Sequence, residues 1–173
     1  MAKQDIYRYI EVDPAYEPGF HWVTKDIALG SYPLESEIQT LLDAGVTAIV
    51  SLRMDEPDYD LERFQTACVM LVEDGTPFPY PYLVEGLAFL HEALLEGNKV
   101  YVHCFAGISR SAFFVSCYLM LRDNITFDEA VGRVQSVRSK CQPNPMLYDE
   151  TVIDRLLADK DRIFSGAPLR ETA

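Results

Sequence analysis

Between Lys99 and Arg122 three kinds of sequence follow one another without a gap. Lys99 to His103 alternates β-branched and aromatic residues, which predicts a short, largely buried strand. Ser111 to Arg122 is mostly apolar and predicts a helix that begins near Ser109 or Arg110. The loop between them holds Cys104, Gly107 and small or polar neighbours. Strand, small-residue loop and helix N-terminus together make an anion cradle. The first N–H groups of a helix lack internal partners, and the helix dipole adds partial positive charge there.

Cys104 and Arg110, with five residues between them, add chemistry to that cradle. The thiolate is the reactive form of cysteine; at a helix N-terminus beside a guanidinium its pKa falls to about 3.5–7.5. Arg110 presents a planar fork that matches two oxygens of a phosphate. Gly107 lets the backbone turn its amides inward without steric cost. A nucleophile inside an oxyanion nest is placed to attack the phosphorus of a bound ester. Cys104 taken alone reads equally as a small buried core residue; the whole string is the more specific signal.

The chain has 173 residues, 49% hydrophobic and 24% charged, which suits one globular domain. Its net charge of −12 argues against nucleic acid or an anionic membrane as the main partner. The four cysteines, Cys68, Cys104, Cys117 and Cys141, have no metal-ligand spacing. No cofactor or metal is expected. No signal peptide opens the chain and no apolar run reaches about 18 residues, so a reducing cytoplasm is the expected location. Cys117 reads as core and Cys141 as loop. Cys68 reads as core too, or as a redox partner of Cys104 from a neighbouring strand.

In chain order, residues 1–19 form an unassigned N-terminal extension broken by Asp13-Pro14 and Glu17-Pro-Gly19. Phe20 to Leu29 predicts one or two short strands split at Thr24-Lys25-Asp26, and Gly30 to Pro33 a turn. Leu34 to Ala44 predicts a helix stopped by Gly45. Val46 to Leu52 is a buried strand by its β-branched content. Arg53 to Asp60 is acidic and turn-like; Asp55, Glu56, Asp58 and Asp60 lack a context that gives them a role. Leu61 to Thr66 predicts a short helix and Cys68 to Val72 a strand. Glu73-Asp-Gly-Thr-Pro-Phe-Pro79 is a loop. Tyr82 to Glu96 predicts a helix with Leu83, Leu87, Leu90 and Leu94 on one face. Thr126 caps a helix that runs through Arg138, and Cys141 to Pro145 is a loop. Met146 to Ile163 predicts the last helix, and residues 165–173 a frayed tail. Helices alternating with strands predict a single-domain α/β fold.

His103-Cys-Phe-Ala-Gly-Ile-Ser-Arg-Ser-Ala112 resembles the His-Cys-x5-Arg-Ser/Thr loop of cysteine-based protein phosphatases. It is particularly similar to compact dual-specificity phosphatases of the MAP-kinase-phosphatase type. The resemblance implies a central, mostly parallel sheet of four or five strands flanked by helices, with residues 20–164 as the catalytic domain. It also implies phosphate binding by Phe105, Ala106, Gly107, Ile108, Ser109 and Arg110, with Cys104 as nucleophile. Glu73 to Pro79 is similar to the general-acid loop of such enzymes, about thirty positions before the cysteine. Asp74 is then the proton donor, with Glu73 the fallback; Asp beside Gly also reads as a solvated turn. By the same resemblance Ser111 hydrogen-bonds the sulfur, besides any capping role, and His103 orders the loop. Asn144 supports the loop, or serves only as a turn residue. The implied reaction runs through a phosphocysteine and needs no cofactor.

The implied partner is a phosphorylated protein, at phosphotyrosine and, given a shallow pocket, phosphoserine or phosphothreonine. The loop lacks the lysines that relatives acting on phosphoinositides carry. A phosphatase for a phosphoinositide, nucleotide or RNA 5′ end is the alternative, and a phosphate-binding scaffold is a third.

Overall fold

The computed structural model describes residues 19–166. The expected extension, apart from Gly19, and the tail beyond Gly166 lie outside them. Five strands make one sheet: β1 (Phe20–Trp22), β2 (Ile27–Gly30), β3 (Val46–Arg53), β4 (Thr66–Leu71) and β5 (Lys99–His103). Among the described residues the α-helices are α1 (Glu35–Asp43), α2 (Tyr80–Leu95), α3 (Arg110–Asp123), α4 (Phe127–Val137) and α5 (Glu150–Ser165).

The strands lie in the order β1-β2-β5-β3-β4. β2, β5, β3 and β4 are parallel, and β1 returns antiparallel on the edge. A parallel sheet is covered on both faces, so its strands read as continuous apolar runs. The alternation is plain in β5. Val100 and Val102 join the larger core with α2 to α5, while Tyr101 joins the smaller one with Ile38 and Leu41 of α1. Because β5 is inserted last, between β2 and β3, the connections through α1 and α2 run in opposite directions along the sheet. The carboxyl ends of β5 and its neighbours meet at that switch point, where ligands bind in open α/β sheets.

Local chemistry sets most boundaries. Thr126 Oγ1 accepts from Glu129 N–H at 3.1 Å while Glu129 Oε2 accepts from Thr126 N–H at 2.8 Å, a reciprocal cap for α4. Gly45, at φ +90°, ends α1 in the left-handed region.

Four expected elements are corrected. The helix predicted over Leu61–Thr66 is one 3₁₀ turn, Leu61–Arg63, capped by the Asp60 side chain. Thr66 is already paired to Ala48, so β4 begins two residues earlier than predicted and ends at Leu71. The helix predicted from Met146 begins only at Glu150. Asn144 Oδ1 accepts from Met146 N–H and closes a separate turn, Pro145–Leu147, while Asp149 caps the helix proper. α2 starts at Tyr80, earlier than expected, because Pro81 fits a first helical turn.

Candidate active site

Residues 104–109 form a loop at the carboxyl end of β5, and each of its carbonyls through Ile108 is held from outside. Cys104 O faces His103 Nδ1 at 2.9 Å. Phe105 O accepts from Tyr32 N–H at 2.8 Å. Ala106 O and Gly107 O accept from the Arg138 guanidinium at 3.0 and 2.9 Å. Ile108 O accepts from Gln142 N–H at 2.8 Å. A trans peptide unit is planar, with its C=O and N–H on opposite sides. Five carbonyls anchored outward therefore turn the N–H groups of Phe105 through Ser109 the other way. Gly107 makes the bend at φ +68°, and a Cβ there would collide with the Gly30 carbonyl.

Cys104, buried, follows the last residue of β5. Its Sγ lies 3.4 Å from Ser111 Oγ, at the start of α3. Burial pushes the thiol pKa up, but the Arg110 charge, the Ser111 hydroxyl and the N–H groups of Ser111 and Gly107 outweigh it. The net shift is downward. Arg110 donates from Nη1 to Val72 O at 2.7 Å, which fixes its aim, and its buried Nε has no hydrogen-bond partner among the described residues.

Asp74 leaves β4 on the loop predicted for it, and Ser109 Oγ donates to its Oδ1 at 2.8 Å. Both Asp74 and Glu73 line one pocket with Arg110, Phe105 and Arg53. Asn144 meets the loop through its backbone, donating its N–H to Ser109 Oγ at 3.0 Å, while its side chain closes the turn to Met146.

Four contributors gave no sequence signal. Arg138 is fully buried at the end of α4, yet reads in sequence as an ordinary last-turn arginine. Tyr59 and Tyr32 pack behind His103, and Tyr59 sits in the acidic stretch that offered nothing to use. Arg53, only 4% exposed, ends β3 with its guanidinium 4.4 Å from the Tyr32 ring centroid and paired to Asp55 at 2.9 Å. Cys68 is not a neighbour of Cys104: β3 separates β4 from β5, so two strand spacings, roughly 10 Å, lie between their strands. That exceeds the reach of a disulfide without backbone movement. Burial also pushes the Cys68 thiol up to about 11.

A family model described as the dual specificity phosphatase catalytic domain matches residues 27–151. The chain belongs to the dual-specificity phosphatase family. Members similar to it include the tyrosine-protein phosphatase yvh1 of Schizosaccharomyces pombe, 30% identical over 122 residues. The match covers 70% of this chain and 37% of that protein. Across this and several fish, frog and human dual specificity phosphatases, the chain spans 37% to 68% of the relatives' length. The family fold recurs in solved structures. DUSP15 superposes with a TM-score of 0.74 at 24% identity, covering 87% of this chain and 96% of that one. PTPMT1, solved in complex with PI(5)P, gives a TM-score of 0.67 at 23% identity, covering 87% and 100%. Among the described residues no helix is long and apolar enough to cross a membrane.

Proposed function

We propose that this chain hydrolyses phosphate monoesters on protein side chains, phosphotyrosine and also phosphoserine and phosphothreonine, with residues 20–164 as the catalytic unit. One observation carries the reading. The Cys104 sulfur, its pKa lowered, lies in a loop whose carbonyls are all held outward, beside an arginine with an unsatisfied Nε. A dianionic phosphate supplies what that arrangement lacks.

In the first step the Cys104 thiolate forms a bond to phosphorus as the P–O bond to the leaving group breaks. The leaving oxygen takes the electron pair and the proton of Asp74. In the second step a water oxygen attacks phosphorus and gives its proton to the Asp74 carboxylate. The S–P bond breaks, sulfur leaves as thiolate, and the Ser111 hydroxyl stabilises it by hydrogen bonding. His103 and Asn144 hold the loop, and Glu73 lies beside Asp74 without a partner role in either step. A thiolate nucleophile requires a reducing compartment, and we place the enzyme in the cytoplasm.

Arg53 favours a second reading, a multiply phosphorylated non-protein ester, because it brings a second guanidinium into the pocket. Its pairing with Asp55, and the carboxylates of Glu73 and Asp74 on the same walls, oppose a second phosphate. A protein side chain with a single phosphate fits that balance better.

The test is phosphate release from a phosphotyrosine peptide, a phosphothreonine peptide and a phosphoinositide, by wild type and Cys104→Ser. Peptide turnover that disappears in the variant is expected. Activity on the lipid alone would move the second reading to the front. Binding of all three without turnover would make the chain a scaffold.

A further inference from the structure

Ser109 occupies the N-cap position of α3, where a serine hydroxyl ordinarily accepts a hydrogen bond from the helix N–H groups two or three residues on. It makes no such bond here. Its Oγ instead accepts from Asn144 N–H at 3.0 Å and donates to Asp74 Oδ1 at 2.8 Å. A backbone N–H can only donate, so the polarity of this pair is fixed. The one hydroxyl hydrogen that remains is committed to the carboxylate.

The same segment is tied to the acid loop a second time. Phe78 N–H donates to Leu147 O at 2.9 Å, in the turn closed by Asn144 Oδ1. Pro143 and Pro145 flank Asn144 and restrict its backbone. The donor to Ser109 is therefore itself held. Asp74 by contrast is exposed, on a loop, with no other side-chain hydrogen bond among the described residues.

We propose that Ser109 is a positioning residue for the proton donor: it fixes the carboxyl of Asp74 by holding Oδ1 as an acceptor, leaving Oδ2 to carry the proton to the leaving oxygen. This rests on the reading of Asp74 given under the proposed function. Ser109 thus gives up a helix cap to orient an acid, and the gain is realised only when a proton must be delivered. The charged groups sharing the pocket with Asp74 are Arg53, Asp55, Glu73 and Arg110. None of them donates to its carboxylate within hydrogen-bond distance.

Leaving-group dependence separates this role from a merely structural one. A nitrated phenolate departs without a proton, whereas phenolate itself needs one. kcat/KM is measured on phenyl phosphate and 2,4-dinitrophenyl phosphate for wild type, Ser109→Ala, Ser109→Thr, Asp74→Asn and the Ser109→Ala/Asp74→Asn double variant. Inhibition by inorganic phosphate reports on the cradle. Ser109→Ala is expected to lose about 10-fold or more on phenyl phosphate and less than about 2-fold on the dinitrophenyl ester. Ser109→Thr restores the loss, phosphate inhibition of Ser109→Ala weakens by less than about 2-fold because alanine keeps the backbone N–H that faces the cradle, and the double variant is no slower than Asp74→Asn. Equal losses on both esters, or a full additional loss in the Asp74→Asn background, would overturn the proposal. Should Ser109→Ala fail to fold, Ser109→Cys, close in size with a weaker donor, is read in the same way. Wild type inactive on both esters would instead overturn the phosphatase reading itself.

Discussion

Tyr59 Oη lies 2.6 Å from His103 Nε2 and ties the acidic loop after β3 to the strand that carries the cradle. The opposite ring nitrogen, Nδ1, faces the Cys104 carbonyl. A carbonyl only accepts, so Nδ1 carries the proton and Nε2 receives the O–H of Tyr59. Both nitrogens are satisfied with the ring neutral. Burial, together with the charges of Arg53 and Arg110, outweighs that carbonyl contact and pushes the His103 pKa down to about 3.

Stability should therefore fall in acid. The folded pKa is depressed below the ordinary 6.5, so the unfolded chain takes up a proton that the folded chain refuses. His103's contribution is complete above about pH 6.5 and is lost as pH drops toward 3, at up to about 1.4 kcal/mol per pH unit. Urea unfolding between pH 7 and 4 should show a steeper loss for wild type than for His103→Asn. Parallel slopes would reject it.

Tyr59→Phe removes the donor that His103 Nε2 receives among the described residues, leaving a buried acceptor bare. A loss of about 1–3 kcal/mol in urea unfolding at pH 7 is expected. Turnover should change only a few-fold, since Nδ1 still holds the Cys104 carbonyl.

Arg138→Met frees the Ala106 and Gly107 carbonyls from a fully buried guanidinium. We expect destabilisation of about 2–4 kcal/mol, from one buried and one part-buried acceptor that lose their donor. Inhibition by inorganic phosphate should weaken by about 10-fold, because the following amides are no longer aimed. Arg138→Lys restores charge without the two-pronged geometry and should recover only part of either loss. Unchanged phosphate inhibition in Arg138→Met would show that the loop aims its amides unaided.

Carboxymethylation by iodoacetate should find Cys104 first. Its thiol is held below the ordinary value of 9.0, whereas those of Cys68 and Cys117 are pushed up by burial. Mass spectrometry at pH 7 should show Cys104 modified well before the others, with Arg110→Ala slowing that reaction. Modification of Cys68 at an equal rate would contradict it.

Short-range patterns carried the expectations that held. The β-branched run of β3, the capped α4 and the break at Thr24–Asp26 between β1 and β2 each depend on residues within one turn or strand. The misplaced boundaries depend on more. Leu61 to Gln65 has helical composition, but Gln65 N–H donates to Thr47 O, 2.8 Å away on β3, and draws the chain into the sheet after one turn.

The string from Lys99 to Ala112 by itself determined the strand, the glycine bend, the helix start and the spacing of Cys104 from Arg110. All of these are contiguous and governed by local backbone preference. Only the tertiary structure decided what holds that loop open. Its carbonyls are anchored by Tyr32, Arg138 and Gln142, its histidine by Tyr59, and Asp74 by Ser109. A buried arginine and an exposed one look alike in sequence, because burial is set by packing between distant segments and not by the neighbours along the chain.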